Sequence, residues 1–479
     1  MRLAKIISIL LFVFSFSYAF AGSPPPKLLG TMRIGPLTDI ASSTSKLSSK
    51  ISPNYAALPM LALTFISFAP DYQSLDFSSE ILIYFFSNGP ANRRKALWVA
   101  LFNTNPGFQN RKLPGKVKWM KGENVYMKHF KDQIAVCDDQ KFLTRLNSVP
   151  PFPADKSASI VIKFNSAEYI RENRADYEAL KETYLGNSLT KKLVREFGPM
   201  AGGLIMDRVN DLHYILEQSS DTTITIDFRN DYIATGIDAK PVPGTPFHRF
   251  VSAQSNMHGN LPGIARNAGI ALVGNINLTP ELRKAMTGAG KSENILMSFA
   301  GDRACSTRIA PLLEKNVSGR FSWFAELTKP IPRVGAYFYK TSSVSANSNH
   351  GLKKTSVSGI YHLSDYVVKQ RTCSVYYKPG KDKAGFAVGD INADGASSLL
   401  GNKLEKVNSK APVYGQLRSE DGKLAAVMIA DFGGGAFSFR GKLLPAFASY
   451  FIPYDMMHGN GGKKGRKRRS INLEKFFKR

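Results

Sequence analysis

The stretch "TITIDFRNDYIATGIDA" (residues 223–239) decides how the chain folds. Ile224, Ile226 and Phe228 alternate with Thr223, Thr225 and Asp227, the period of a strand with one apolar face. Arg229-Asn230-Asp231 breaks the run, and a second β-rich run follows, so the segment predicts a hairpin. A related hairpin stands near the other end of the chain, "AAVMIADFGGGAFSFRGK" (425–442), where Asp431-Phe432 matches Asp227-Phe228 beside the turn. Two more pairs of segments occur in the same order. The aromatic hairpin of "EILIYFF" and "KALWVALF" (80–102) matches "FSWFAELTKPIPRVGAYFYK" (321–340), and "QIAVCDD" (133–139) matches "GFAVGDI" (385–391). The offsets between partners are 241, 252 and 202 residues. The drop in the last corresponds to an insertion of about fifty residues in the first half, the length of a helical interval at 166–218.

The pattern predicts an α+β fold of two related halves, each a mostly antiparallel sheet with helices packed on one face. The expected units are a signal peptide at 1–21, a first half at 22–266 with the helical insertion near 166–218, a second half at 267–455, and a flexible basic tail at 456–479. Between the paired segments, "LLGTMRI" reads as a strand and "PLTDIASSTSKLSSKI" as a helix opening at Pro36. "NVYMKHF" and "QIAVCDD" form a hairpin turning at Lys131-Asp132, and "ALVGNIN" is strand-like. Ile205, Val209, Leu212 and Leu216 share one helical stripe, and His213 beside it reads as a core or boundary residue. The word "MHGN" at 257–260 and 457–460 follows both matched hairpins. No second metal-ligating residue lies at ligand spacing from His258 or His458, so it reads as a relic or a coincidence.

The first residues have the build of an export signal. Arg2 and Lys5 precede an apolar run, and Ala19-Phe20-Ala21 offers a small-residue cleavage site. No later apolar run has the length of a membrane span, so a soluble periplasmic or secreted protein is expected. Cys137, Cys305 and Cys373 are too few for a disulfide framework, and "IAVCDD" and "TCSVYY" set two of them in strands as small apolar residues. A bridge between Cys305 and Cys373 remains open.

The formal net charge is +27. From Lys463 to Arg479 there are nine basic residues against the single acid Glu474. Such an excess draws polyanions: anionic envelope lipid, acidic polysaccharide or extracellular nucleic acid. Lys463, Lys464, Arg466, Lys467, Arg468 and Arg469 are the candidate contacts, with Phe476 and Phe477 placed to enter a surface.

The sharpest local motif is "GDINADGASSLLG" (389–401). Asp390, Asn392, Asp394 and Gly395 match the opening of a calcium loop, which alternates oxygen ligands and turns at glycine. Ser398 and Gly401 then stand where the later ligands belong, and the alternative is a turn into a helix capped by Asp394 or a nearby serine. No cofactor other than that calcium ion is suggested. "DFGGGAF" (431–437) lacks every companion of the kinase triplet, and no nucleophile elbow, zinc-protease helix or phosphate loop occurs.

"LLGTMRIGPLTDIASSTSKLSSKI", "ILIYFF…KALWVALF", "VYMKHFKDQIAVCDD" and "TTITIDFRNDYIATGIDAKPVPGTPF" together resemble a group of uncharacterised exported bacterial proteins with two related α+β halves. The resemblance spans most of the mature chain and brings no activity or catalytic residues with it. The basic tail and the partial calcium loop are not features of that group. The expected function is a non-catalytic binding or structural role in the cell envelope or outside the cell, aided by attraction to polyanions. The alternatives are a hydrolase acting on envelope material and a calcium-dependent assembly module.

Overall fold

The structure is a computed structural model. It describes residues 27–450 except 69–71, 88–96, 109–111, 119–123, 153–156, 173, 175–176, 179–212, 258–259, 266–267, 280–316, 327–332, 341–351, 369–370 and 420. The expected signal peptide, most of the helical insertion, both histidines of "MHGN", Cys305 and the tail cations Lys463 to Arg469 therefore lie outside the described residues.

The chain enters as β1 (Leu28–Ile34), followed by helices α1 (Leu37–Ile51) and α2 (Leu58–Phe68). Then come β2 (Ile81–Phe86), β3 (Leu97–Asn103), β4 (Lys116–Lys118), β5 (Asn124–Phe130) and β6 (Gln133–Cys137). Next are α3 (Gln140–Arg145), β7 (Ile160–Phe164), α4 (Ser166–Glu172), β8 (Ser219–Phe228), β9 (Ile233–Pro241) and α5 (Pro246–Gln254). The chain continues through β10 (Ile264–Ala265), β11 (Ile270–Asn275), β12 (Val317–Glu326), β13 (Arg333–Lys340), β14 (Lys353–Lys354), β15 (Tyr361–Val368), β16 (Arg371–Lys378) and β17 (Lys383–Gly389). It ends with α6 (Ala393–Leu399), β18 (Leu404–Glu405), β19 (Val413–Arg418), β20 (Leu424–Asp431) and β21 (Phe437–Leu443).

Nineteen of these strands make one sheet, and β10 pairs apart with β18. Across the sheet the strands run β4, β5, β6, β3, β2, β1, β7, β8, β9, and then β21, β20, β19, β11, β12, β13, β17, β16, β15, β14. Every pairing between the described strands is antiparallel, as the alternating segments and hairpins predict. The sequence led to a sheet in each half. Instead the strands merge into one, because β9 and β21 meet along their free edges and satisfy each other's backbone groups. The outer edges are blunted: β4 is Lys-Val-Lys and β14 is two exposed lysines.

The β9–β21 junction has its own chemistry. Arg440 donates through Nη2 to both carboxylate oxygens of Asp238, each at 2.8 Å, and Ser438 also hydrogen-bonds Asp238. At Gly236, paired with Arg440, any side chain would require Thr225 to shift. A Cβ there would lie 2.5 Å from Thr225 Oγ1 and 3.3 Å from the Arg440 guanidinium, which lies across the gap.

Helices occupy both faces of the sheet, not one. Ile81, Ile83 and Phe85 of β2 point into a cluster with Met32, Phe102 and Ile134, against which Leu37 and Ile40 of α1 pack. The alternate residues Tyr84 and Phe86 point the other way, into a cluster with Val99, Leu101, Cys137 and Leu143 of α3. This explains why "ILIYFF" is apolar at every position rather than at every second one. In the C-terminal strands, Phe324 and Tyr337 likewise pack with Leu399 of α6 while Ala336 and Phe338 face the opposite side.

Helix α2 is apolar nearly all round, a composition that shows no stripe in sequence. It exposes Leu58 by 41%, Met60 by 41% and Leu61 by 49%, an unusual face to leave in water.

Candidate functional site

An open cleft of about 340 Å³ lies where α1, β2, β3 and β6 converge, lined by Pro36, Ser79, Glu80, Leu82, Asn103 and Gln133. Its polar groups are already engaged. The buried Arg33 donates through Nη2 to Glu80 at 2.7 Å and through Nη1 to the Ala158 carbonyl at 2.9 Å. Gln133 donates its amide to Asn103 at 3.1 Å, across a register pair of β3 and β6. Ser79 hydrogen-bonds the nearby Asp76, which also accepts from the Ser78 hydroxyl. Burial of Asp76 opposes its ionisation, but the hydroxyls of Ser78 and Ser79 and the Ser78 N–H outweigh it and lower its pKa. Ser79 thus donates to a carboxylate whose lowered pKa makes it a weak general base. The cleft can hydrogen-bond a ligand, but its serine is not set up as a nucleophile.

A second grouping lies at the ends of β12, β13 and β17. Lys383 and Tyr339 are register partners, and the Lys383 ammonium stands 4.2 Å from the centroid of the Tyr337 ring and 6.0 Å from that of Tyr339. The Arg320 guanidinium lies 4.8 Å from the Tyr339 centroid. Cations over aromatic faces are held by the ring quadrupole. Arg320 is delivered by a bulge, since the β12–β13 register shifts between Val317 and Phe321 and Gly319 has φ of +86°. Neither cation has a carboxylate partner among the described residues, and Arg320 Nε is buried with no hydrogen-bond partner. Burial, and then the like charge of Lys378, lower the pKa of Lys383. Burial, and then Tyr339, push Tyr337 up to about 12, and its hydroxyl donates to the Leu400 carbonyl.

A histidine, an aspartate and a serine do meet on β15 and β16, but in an order that defeats nucleophilic catalysis. Asp365 stands between His362 at 2.9 Å and Ser374 at 2.5 Å, so the imidazole is not placed to take the serine proton. The Ser374 hydrogen bond foremost, opposed by burial and aided by His362, lowers the Asp365 pKa. Burial, with Asp138 beside it, raises the Cys137 thiol well above its usual range, which suits a packing residue. His213 hydrogen-bonds the buried Tyr177, as a boundary histidine should.

The calcium motif lies where β17 turns into α6. Asn392, rather than Asp394 or a serine, is the N-cap, accepting from Gly395 N–H at 2.8 Å, while Asp390 and Asp394 are exposed. Asp139 caps α3 in the same manner through Phe142 N–H. Among the described residues no three His, Cys, Asp or Glu side chains gather as a metal set. Asn392→Ala is expected to cost about 1 kcal/mol of stability by urea denaturation, equally with and without calcium, because it removes a cap. A melting shift on adding calcium that Asp390→Ala abolishes would instead establish the ion-binding role.

The sequence had singled out neither Arg320, Tyr339 and Lys383 nor the cleft. Each grouping comes from three or more separate segments, and no local pattern unites them. Comparison of the chain with protein-family models, with curated proteins and with solved structures finds no match.

Proposed function

We infer that the chain is an exported, non-catalytic binding protein of the cell envelope or extracellular space, held to anionic lipid surfaces. The formal net charge of +27 carries this conclusion, since such an excess concentrates anionic partners around the molecule. The six clustered cations between Lys463 and Arg469 would add attraction at an anionic leaflet. Lipid is favoured over acidic polysaccharide or nucleic acid by the exposed Leu58, Met60 and Leu61 of α2, because apolar side chains gain from a bilayer and little from a polyanionic polymer. No described helix is long and apolar enough to cross a membrane, so α2 would rest in the headgroup boundary.

Cosedimentation with vesicles tests this. The full chain is expected to bind phosphatidylglycerol vesicles at low salt and phosphatidylcholine vesicles weakly. Sodium chloride should weaken binding as the Debye length shrinks from roughly 30 Å at 0.01 M to 10 Å at 0.1 M. Deleting residues 463–479 should reduce the salt-sensitive part, and Leu61→Asp the remainder. Retention indifferent to both salt and lipid charge would sink the proposal.

The two related halves are also part of our reading. Outward from the β9–β21 junction the order is β8, β7, β1, β2, β3, β6, β5, β4 on one side and β20, β19, β11, β12, β13, β17, β16, β15 on the other, which supports one design used twice. Tyr84 and Phe324, the largest fully buried side chains among the described residues, take matching places in β2 and β12. Gly236 and Arg440, which pair across the junction, each stand nine residues beyond the Asp of the shared Asp-Phe, as a local two-fold would require. The resemblance to exported two-half proteins agrees with this. An experimental structure whose halves differ in strand order would refute it.

A further inference from the structure

We propose that Arg320, Tyr339 and Lys383 form a binding site for a phosphate group. The site is independent of the lipid contact through α2, because it lies on the sheet face that carries α6, opposite the face that carries α1.

Desolvation sets the cost of this arrangement. A half-buried ammonium and a guanidinium with one buried donor lose hydration, and natural proteins offset that loss with carboxylates. Here Asp238 answers Arg440, Glu80 answers Arg33 and Asp227 answers Arg229, yet no carboxylate answers Arg320 or Lys383 among the described residues. One neighbour deepens the imbalance, for Lys378 adds charge of the same sign beside Lys383. The tyrosine faces hold the two cations without neutralising them, which leaves their N–H groups to donate elsewhere.

The backbone is shaped for this placement. Gly319 accepts through its carbonyl from Ile276 N–H at 3.1 Å, and the bulge brings Arg320 alongside Tyr339. Bulges of this kind re-aim a side chain. The corresponding strand ends of the first half are built differently. There Asn103 and Gln133 pair across β3 and β6 as Tyr339 and Lys383 do across β13 and β17, and Glu80 stands at the start of β2. That end is an open cleft whose acid is matched to Arg33, whereas the other end carries two cations with no carboxylate partner among the described residues. A tetrahedral dianion is the ligand that answers both, with the planar guanidinium offering forked donors and the ammonium a point charge.

The test uses the full chain and reads Lys383 directly. Its lowered pKa makes it reactive toward an amine-acylating reagent, with Lys378 and Lys381 as internal standards in mass spectrometry. Inorganic phosphate is expected to protect Lys383 alone, roughly tenfold at ten times the dissociation constant by mass action. Arg320→Gln should raise the phosphate concentration for half-protection by about tenfold, and Arg320→Lys should recover part of the loss. Phosphatidic acid vesicles, whose phosphomonoester headgroup can carry the second charge, form the second arm. Protection by either ligand supports the site, and the one acting at lower concentration names its source, headgroup or soluble phosphate. Equal labelling of Lys383 with and without both ligands overturns the proposal, as does an unchanged protection curve in Arg320→Gln. Vesicle cosedimentation by α2 and the tail is read separately, so either conclusion can fail alone.

Discussion

Phe324→Ala is expected to lower stability by about 3–5 kcal/mol, a large part of what a folded domain has in reserve. The ring is fully buried among Ala271, Val273, Tyr337, Ala396 and Leu399. It covers Gly335, its register partner, so closely that a Cβ there would lie 2.3 Å from Phe324 Cζ. Removing the ring leaves a cavity with a glycine on one wall, which has no side chain to relax into the space, so the cost should fall toward the upper end. Urea denaturation measures it, and a double-mutant cycle sharpens it. Gly335→Ala is expected to destabilise the wild type by collision, yet to be tolerated once Phe324→Ala has removed the ring, so the two costs should fail to add. Additive costs, or a loss under about 1 kcal/mol for Phe324→Ala, would mean that the ring does not fill this space.

The second large effect is expected at Gly319. Its φ of +86° disfavours any L side chain, and an ideal Cβ would stand 1.9 Å from the Ile276 carbonyl oxygen. That oxygen belongs to backbone at the end of β11, whose neighbouring Asn275 N–H is tied to Pro412, so it cannot simply swing aside. Gly319→Ala should therefore cost about 2 kcal/mol or more. It should also relax the bulge that presents Arg320, and so weaken phosphate protection of Lys383 beyond what lost stability explains. The informative comparison is Gly359→Ala, at φ of +74° but with open space around the Cβ. That substitution should cost only the conformational penalty of about 1 kcal/mol and leave Lys383 protection intact. Equal effects at the two glycines would refute the role given to the bulge.

Much of the strand content was legible in the chain. Alternation in "TITIDF" and the break at Arg229-Asn230-Asp231 specify the β8–β9 hairpin, and Lys131-Asp132 specifies the β5–β6 turn. Helix α2 was missed because a segment apolar on every side has no period to detect. Strands β15 and β19 were missed too, since tyrosine and charged residues interrupt the apolar alternation of "YHLSDYVV" and "VYGQLR", whereas "TCSVYY" already marked β16 as a strand. The strand end and turn into a helix at 389–401 were legible as the alternative to a calcium loop, but which residue caps α6 depended on the backbone angles at Asn392.

The sequence by itself determined the local period of each strand, the position of the principal turns and the large positive charge, because those depend on neighbours within a few residues. Only the tertiary structure decided that β9 and β21 pair into one sheet, that α1 and α3 take opposite faces, and that Arg440 finds Asp238 while Arg320 and Lys383 find no carboxylate among the described residues. Edge pairing and charge matching depend on distances between residues up to about two hundred positions apart in the chain. Local pattern carries no information about those distances, and the sheet register sets them.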